Sequence, residues 1–390
     1  MRAYVPDGIL VDAFEFHSSS ALVVDASERI VNVCHTSDLP SDIDIIDCSS
    51  QIFVAAPILA HAHLESFDAP SADFQCGSFS QWVTSLLDWR DSADRLSPEE
   101  SAQLSRQELF VNGCGLVATH VGEERAEGDL EPGLPEVIAL TEVFQPSGEI
   151  PTLPDFPYRG VALHSSFSVA DNVASHIFSL ASDDNFVSLH LGEHIDERQF
   201  LESATGEMAD LFIERGLELK SDAYSSPVDW LEKMGGLKPS VVAVHCSNLS
   251  AKELAQLNHA GVDVVFCPGT HKYFRRERPA FGDVPSLLPA LGCDSRASNT
   301  VLDPLRELRL AAELIPEISC QMWWQSLTGR GAEVLKRQDL GSLSKGKLAR
   351  VLRLSTAELG HPQSAGELCS TLCSTDNLSR ELLSLNSSTE

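Results

Sequence analysis

The sequence predicts a TIM-type (β/α)8 barrel accompanied by a small β-sandwich that the N- and C-terminal segments form together. Apolar segments typical of buried strands alternate with longer amphipathic segments from residue 57 onward, which is the pattern of strand–helix units around a parallel sheet. Eight such units fit within residues 57–295, and this number favours a closed barrel over an open sheet. Hydrophobic residues make up 43% of the 390 residues, enough for one large domain with a substantial core.

Short strands joined by polar turns are predicted for residues 1–55. The segment ALVVDASERIVNV has the pattern of a hairpin that turns at Ala26–Glu28. The barrel strands are then predicted at residues 57–63, 116–121, 137–144, 160–167, 186–193, 241–248, 262–268 and 290–295. Helical patterns lie between several of these strands, for example FSQWVTSLLDWRDSA and SAKELAQLNHAG.

The C-terminal part of the chain is predicted to return to the N-terminal strands through GSLSKGKLARVLRLS, residues 341–355. We therefore expect a sandwich made of residues 1–56 and 338–360, a barrel of residues 57–337, and a tail of residues 361–390. The tail is rich in Ser, Thr and Leu and low in information, and we expect it to be frayed.

The charge of the chain disfavours two classes of partner. The formal net charge is −29, from 28 Lys and Arg against 57 Asp and Glu, and it repels nucleic acids and anionic membrane surfaces. No segment is long and apolar enough to span a bilayer, and the N-terminus MRAYVPDGILVDAFEF lacks the layout of a signal peptide. We expect a cytoplasmic protein whose partner is a small-molecule substrate.

Histidines and acids occur where the predicted barrel strands end. A single histidine beside an apolar strand is usually a core residue, but here five strand ends carry such residues: His61 and His63, His164, His190 with Glu193, His245, and Asp294. The carboxyl ends of barrel strands meet at one face of the barrel, so these side chains can converge. Alternation along the first strand also lets both of its histidines face the same way. Imidazoles and a carboxylate suit a divalent transition metal such as zinc or iron.

Five segments resemble, in order and spacing, the motifs of the amidohydrolase superfamily, in particular its nucleoside and heterocycle deaminases. They are HAHLE, HLGEH, VVAVHCSNLS, FCPGTHKYF and LGCDSRASN, and the resemblance extends from about residue 20 to residue 355. HAHLESF, GSFSQWVTSLLDWR, CPGTHKYF and SNTVLDPLRELRLA look more specifically like aminodeoxyfutalosine deaminases of the futalosine route to menaquinone. Gly269 departs from the superfamily pattern, which often has arginine there.

The resemblance implies a role for each candidate residue. The metal ligands would be His61, His63, His190 and Asp294, holding one zinc (or iron) ion. Glu193 would be the proton shuttle, His245 would contact the attacking hydroxide or the developing charge, and Asp294 would also accept a proton. Substrate contacts are expected from His164, Glu65 and Arg90. Many superfamily members bind a second metal through a carboxylated lysine on the fourth strand, but the first lysine of this chain is Lys220, so we expect a single ion.

The predicted function is hydrolytic deamination of an adenine-type nucleoside, 6-amino-6-deoxyfutalosine, with attack by metal-activated water and release of ammonia. Futalosine-type substrates carry a benzoate, and Arg90, Arg276 and Arg296 are the candidates for binding it. One alternative keeps the enzyme class but changes the substrate to S-adenosylhomocysteine, guanine or a triazine. Another is an inactive barrel that serves as a binding protein, which the complete set of ligands and Glu193 disfavours. Similar barrels are often homodimers, so a homodimer is also possible here.

Overall fold

One mixed sheet contains the N-terminal strands in the computed structural model, which describes residues 1–71, 78–122, 134–151, 160–220 and 222–383. Its strands are β1 (Arg2–Leu10), β2 (Phe16–Ser18), β3 (Ser20–Val24), β4 (Ile30–His35), β5 (Asp44–Ala55), β14 (Val351–Ser355) and β15 (Arg380–Leu382). The strand order is β15-β14-β5-β1-β3-β4, with β2 also paired to β1. The predicted β3–β4 hairpin and the return of the C-terminal segment to this sheet are confirmed.

The second sheet is the predicted barrel of eight parallel strands. These strands are β6 (Ile58–Leu59), β7 (Leu116–Val121), β8 (Glu136–Val143), β9 (Gly160–Ser165), β10 (Phe186–Leu191), β11 (Val241–His245), β12 (Asp263–Phe266) and β13 (Ala290–Leu291), paired in that order. The ring closes between the first and last strands, where the N–H of Cys293 donates to the carbonyl of His61 at 3.0 Å and the N–H of His63 donates to that of Asp294 at 3.1 Å. The predicted fold class is therefore confirmed.

Thirteen α-helices occur in the described residues. They are α1 (Phe79–Arg90), α2 (Pro98–Val111), α3 (Asp171–Leu180), α4 (Ile195–Ser203), α5 (Glu207–Glu214), α6 (Pro227–Lys233), α7 (Ala251–His259), α8 (Pro268–Tyr273), α9 (Pro304–Leu314), α10 (Cys320–Gln325), α11 (Gly331–Val334), α12 (Thr356–Leu359) and α13 (Ala365–Ser374). Ser97 and Ser250 begin α2 and α7 with capping boxes, which satisfy main-chain donors at these helix starts. In that part of the chain, no helix is both long and apolar enough to cross a membrane.

Part of the segment predicted as a tail is regular structure. Helix α13 buries Leu368, Cys369 and Leu372, which recur at helical spacing, and β15 pairs with β14 in the N-terminal sheet. The expectation of a frayed tail is therefore wrong for α13 and β15, because these apolar residues pack against the rest of the fold. Residues 384–390 of the predicted tail lie outside the described residues.

Candidate metal centre and active site

Alternation along the barrel strands brings polar side chains to one end of an apolar barrel interior. Several of the strands carry two apolar or small residues that are followed, two positions later, by a polar one. Examples are Leu116, Ala118 and His120 on β7, Ile138, Leu140 and Glu142 on β8, and Phe186, Ser188 and His190 on β10. Because side chains alternate between the two faces of a strand, these polar residues point inward above the packed apolar layers.

The four predicted ligands come together at this end of the barrel. The Nε2 atom of His190 lies 3.1 Å from Nε2 of His63 and 3.3 Å from Nε2 of His61. The Oδ1 atom of Asp294 lies 3.6 Å from Nε2 of His61 and 3.7 Å from Nε2 of His63. Neighbouring ligands of a tetrahedral zinc ion with bonds of about 2.0–2.1 Å are separated by roughly 3.3 Å. The spacing of these atoms therefore fits a divalent ion.

Contacts on the far side of two of these ligands leave one atom of each directed at the cluster. His190 donates its Nδ1–H to the carbonyl of His164 at 2.5 Å, so its Nε2 presents a lone pair. The hydroxyls of Thr270 and Ser298 donate to Oδ2 of Asp294 at 2.9 and 2.7 Å, which leaves Oδ1 facing the histidines. This arrangement is the donor set that zinc or iron prefers.

The protonation states of the ligands also suit a cation. Burial lowers the pKa of His63 to about 3 and that of His61 well below its ordinary value, so both imidazoles are neutral at neutral pH. Burial alone would raise the pKa of Asp294, but its contact with His61 and the neighbouring histidines outweigh burial and hold that pKa well below the ordinary value. Neutral imidazoles and an ionised carboxylate are the forms that bind metals.

His120 lies beside the cluster without a free ring nitrogen. Its Nδ1 is 2.9 Å from Oε1 of Glu142, and its Nε2 is 2.9 Å from Oγ of Ser188. It belongs to a group of four histidines close enough to share an ion, but both of its nitrogens already have partners. Sequence reasoning missed Glu142, whose signal was a single acid within the apolar strand VIALTEVF.

Glu193 lies next to the cluster and is held by a buried cation. Nη2 of Arg276 donates to its Oε1 at 2.9 Å, and Nε2 of His245 is 3.9 Å from its Oε2. Burial would raise the pKa of Glu193, but its electrostatic interactions with His245 and Arg276 outweigh burial and hold this pKa below its ordinary value. Glu193 is therefore a carboxylate at neutral pH, ready to accept a proton.

His245 reaches the site through an unusual backbone conformation. It follows Val244, which faces the barrel interior, so strand alternation alone would point His245 outward. Its φ of 71° lies in the left-handed region, which is uncommon for residues other than glycine, and its ring stacks on His190 at a centroid distance of 5.4 Å. Strained conformations of this kind concentrate at functional sites. Burial lowers the pKa of His245 to about 4, so its imidazole is neutral.

A cavity opens above the cluster and is mostly apolar. Its floor includes His63, His164, His190, Glu193, His245 and Asp294. One face of α1 and one face of α5 form a wall, with Phe79, Trp82, Val83 and Leu86 on α1 and Met208, Leu211 and Phe212 on α5. The space between the walls and the floor, counted out to open solvent, is about 1020 Å³.

Each apolar wall ends in an exposed arginine. Arg90 continues the apolar face of α1 at the last turn, and Arg215 continues that of α5 directly after the helix ends, so both line the cavity on its solvent side. The guanidinium of Arg215 lies 3.5 Å from Asp88 of α1, two residues before Arg90. Arg215 was not predicted, because its position on the same face as Met208 and Phe212 is apparent only once the extent of α5 is known.

Two predicted substrate contacts receive different support from the geometry. His164 lines the cavity, with its Nδ1 2.7 Å from Oγ of Ser168. Glu65 lies in the turn Leu64–Ser66, where Ser66 rather than Glu65 lines the cavity, so its substrate contact remains a prediction. Arg296 is not among the lining residues, and it donates to Glu108 at 2.8 Å.

Glu197 links two loops of the site and was not predicted. This buried acid on α4 accepts from the hydroxyl of Ser166 at 2.5 Å and from the N–H of Glu193 at 2.9 Å. Ser166 follows β9 and Glu193 follows β10, so Glu197 holds the two loops together. Burial raises the pKa of Glu197 to about 7.

Replacing Glu197 with Gln is expected to make stability depend on pH in a different way. Glu197 has a pKa of about 7 when folded and an ordinary value of 4.5, so unfolding between these pH values releases a proton and the free energy of unfolding falls as pH rises. Gln does not titrate, so the free energy of unfolding of the variant does not fall in this way. Relative to the native protein, it should rise by on the order of 3 kcal/mol between these two pH values. Denaturant unfolding near pH 5 and near pH 8 measures this difference.

The matched control is Glu100→Gln, because Glu100 is the third residue of α2 as Glu197 is the third residue of α4. Glu100 is exposed, and its hydrogen bonds to Ser97 lower its pKa. The free energy of unfolding of Glu100→Gln should therefore not rise relative to that of the native protein as pH rises. An equal gain for both variants would contradict the role of burial at Glu197.

Comparison with known proteins gives three kinds of similarity. A model described as Amidohydrolase family matches residues 155–365, more than half of the chain. The 5-methylthioadenosine/S-adenosylhomocysteine deaminase of Pyrococcus horikoshii is 25% identical over 346 residues, which cover 80% of this chain and 75% of the relative. The aminodeoxyfutalosine deaminase of Deinococcus radiodurans is 25% identical over 317 residues, which cover 73% of each chain. The crystal structure of Helicobacter pylori aminofutalosine deaminase in complex with methylthio-coformycin has a TM-score of 0.79 at 20% identity, with 97% of both chains covered.

Proposed function

The chain belongs to the amidohydrolase family, and on this basis we propose that it is a metal-dependent deaminase of 6-amino-6-deoxyfutalosine, an adenine-type nucleoside, in menaquinone biosynthesis. The observation that carries the proposal is the position of Glu193, an ionised carboxylate, beside a cluster of three histidines and Asp294 on the floor of an apolar cavity. Relatives that carry names of adenosine-type deaminases support the substrate class.

The ion that we propose is a single zinc held by His61, His63, His190 and Asp294. Zinc bound there would lower the pKa of a water molecule to about 7 and so supply a nucleophile at neutral pH. The barrel strand that carries a bridging lysine in many superfamily members has none here, because no lysine precedes Lys220. This supports one ion rather than two.

Glu193 moves the proton in the proposed reaction. It takes a proton from the attacking water and delivers it to the ring nitrogen next to the amino-bearing carbon, a step worth about 10²–10⁴-fold in rate. The water oxygen becomes bonded to that carbon, the remaining hydroxyl proton passes to the amino group, and ammonia leaves. His245 is neutral and close to Glu193, so it can donate a hydrogen bond to the new oxygen as charge develops. Asp294 can relay that hydroxyl proton to the amino group through Oδ1, the oxygen that accepts from neither Thr270 nor Ser298.

The cavity walls suit a nucleoside with an apolar arm that ends in a carboxylate. The faces of α1 and α5 are apolar near the floor and end in Arg90 and Arg215 at the mouth. A benzoyl-type arm would place its ring against the apolar walls and its carboxylate near the two guanidinium groups, which bind carboxylates in a fork geometry. S-adenosylhomocysteine is the second candidate, because the Pyrococcus relative covers most of this chain and is also named for that substrate.

Ammonia release by the zinc-loaded protein tests the proposal on 6-amino-6-deoxyfutalosine, S-adenosylhomocysteine, 5-methylthioadenosine, adenosine and guanine. We expect the highest kcat/KM for aminodeoxyfutalosine. Arg215→Gln should raise KM for this substrate by about tenfold, the equivalent of roughly 1.4 kcal/mol, because it removes one carboxylate contact. KM for 5-methylthioadenosine, which has no carboxylate, should change little.

Arg296→Gln is the matched control, since Arg296 was also a candidate from the sequence but is paired with Glu108 and does not line the cavity. Its KM values should be those of the native protein. Absence of turnover on every purine would exclude the proposed function. Turnover of S-adenosylhomocysteine above aminodeoxyfutalosine would select the second candidate instead.

A further inference from the structure

Glu307 is a fully buried acid on α9 that does not line the cavity. It lies in the segment SNTVLDPLRELRLA and is 0% exposed. Its Oε2 accepts the main-chain N–H of Gly269 at 2.7 Å, and its Oε1 accepts Nδ2 of Asn299 at 2.8 Å. One carboxylate therefore joins the first turn of α8 to the loop that follows β13.

Both joined segments carry a hydroxyl that holds Asp294. Thr270, next to Gly269, and Ser298, next to Asn299, donate to the same oxygen of Asp294, and their own Oγ atoms are 3.0 Å apart. The other oxygen of Asp294 is then left 3.6 Å from Nε2 of His61. The direction in which Asp294 points thus depends on the relative position of the two segments.

The close approach of Glu307 also explains the glycine at position 269. A Cβ atom built on Gly269 would lie 2.3 Å from Nδ2 of Asn299 and 2.6 Å from Oε1 of Glu307, closer than real contacts allow. The arginine that is common at this position in the superfamily therefore cannot be accommodated while Glu307 and Asn299 occupy these places. Gly269, Asn299 and Glu307 form one packed unit.

We propose that Glu307 is a positioning residue, which fixes the orientation of Asp294 toward the metal by clamping the start of α8 to the loop 294–299. The inference rests on the proposed metal centre but not on any particular substrate. Residues that hold a metal ligand in place typically account for about 10–100-fold in metal affinity. Glu307 does not contact Asp294 directly, and it acts on this ligand through Thr270 and Ser298.

Glutamine cannot replace both contacts of Glu307. Its oxygen can accept from Gly269, but its amide N–H2 would then face the N–H2 of Asn299. Asn299 cannot turn over, because its Nδ2 also donates to the carbonyl of Cys293 at 3.0 Å and its Oδ1 accepts from Arg306 at 2.6 Å. One half of the clamp is therefore lost in Glu307→Gln.

The test is the zinc dissociation constant of the purified protein, measured by competition with a chelator in the absence of substrate. Glu307→Gln is expected to bind zinc about tenfold more weakly than the native protein. Glu313→Gln is the matched control: Glu313 also joins α9 to α8, through Lys272 at 3.0 Å, but at the exposed surface. Its zinc affinity should be unchanged. Unchanged zinc affinity in Glu307→Gln, with only a lower Tm, would overturn the proposal.

A second variant tests the route through Asp294. Thr270→Val removes one hydroxyl donor with little change of shape, and it should also weaken zinc binding. The double variant should lose less affinity than the sum of the two single losses, because both act on the same carboxylate. Full additivity would show that Glu307 does not act through Thr270. Glu307→Asp, whose shorter side chain cannot span both contacts, replaces Glu307→Gln if that variant does not fold.

The outcome is independent of the substrate assignment. If the native protein binds zinc but deaminates none of the nucleosides, the proposed function fails while the affinity comparison still decides the role of Glu307. If the native protein binds no zinc, the inference about Glu307 is wrong together with the metal centre.

Discussion

Replacing Glu193 with Gln is expected to lower kcat by about 10²–10⁴-fold while the zinc content of the protein stays the same. The amide is close in shape to the carboxylate but cannot take a proton from water and pass it to the ring nitrogen. Glu193 is not one of the four clustered side chains, so its loss leaves the ion's donors intact. Steady-state ammonia release and metal analysis on the same preparation measure the two quantities.

Asp196→Asn is the matched control for this substitution. Asp196 is a buried carboxylate three residues further along the chain, but it accepts from Ser80 and does not line the cavity. Its kcat should remain near the native value. If Glu193→Gln kept more than about a tenth of the native kcat, the assignment of proton transfer to Glu193 would be wrong, since the expected loss starts at about 10².

Replacing His63 with Asn is expected to abolish zinc binding at concentrations that saturate the native protein, and with it the activity. A residue that holds a metal ligand in place typically contributes about 10–100-fold to metal affinity. Removal of a ligand itself should lower the zinc affinity by more than this. His63 is the best ligand to replace, because its side chain is 16% exposed whereas that of His61 is 0% exposed, so less of the effect comes from a lost core contact. Metal analysis after dialysis gives the zinc content.

His120→Asn distinguishes this cluster from the neighbouring group of histidines. Both ring nitrogens of His120 are occupied by Glu142 and Ser188, so we expect this variant to retain zinc while its thermal stability falls. Zinc that was retained in His63→Asn but lost in His120→Asn would place the ion on the other side of His61, between His61 and His120.

The convergence of His61, His63, His190 and Asp294 could be predicted because it depends on strand ends alone. Each residue lies at or just after the end of an apolar segment, and the barrel brings all such ends to one face whatever the detailed packing. The eight strands themselves could be predicted for the same reason, since their apolar segments are long and regularly separated.

Contacts between side chains that are distant in the chain could not be predicted in this way. Glu197 and its partner Ser166 are 31 positions apart, and Glu307 and Gly269 are 38 positions apart. In the sequence, both acids look like ordinary residues of amphipathic helices, because nothing local indicates that they are buried. Their roles depend on how α4 and α9 pack on the loops. The same is true of α13, because its apolar face is buried only by packing against other parts of the fold.

The closure of the barrel between Ala62 and Asp294 has a consequence for biosynthesis. These residues pair across the seam between the first and last strands, and the side chains on either side of the seam belong to one cluster. A ribosome must therefore add more than two hundred residues after His63 before the matching carboxylate leaves the exit tunnel. Until then, a growing chain has at most the three imidazoles without the carboxylate, so the cluster can be completed only after nearly the whole barrel has been translated.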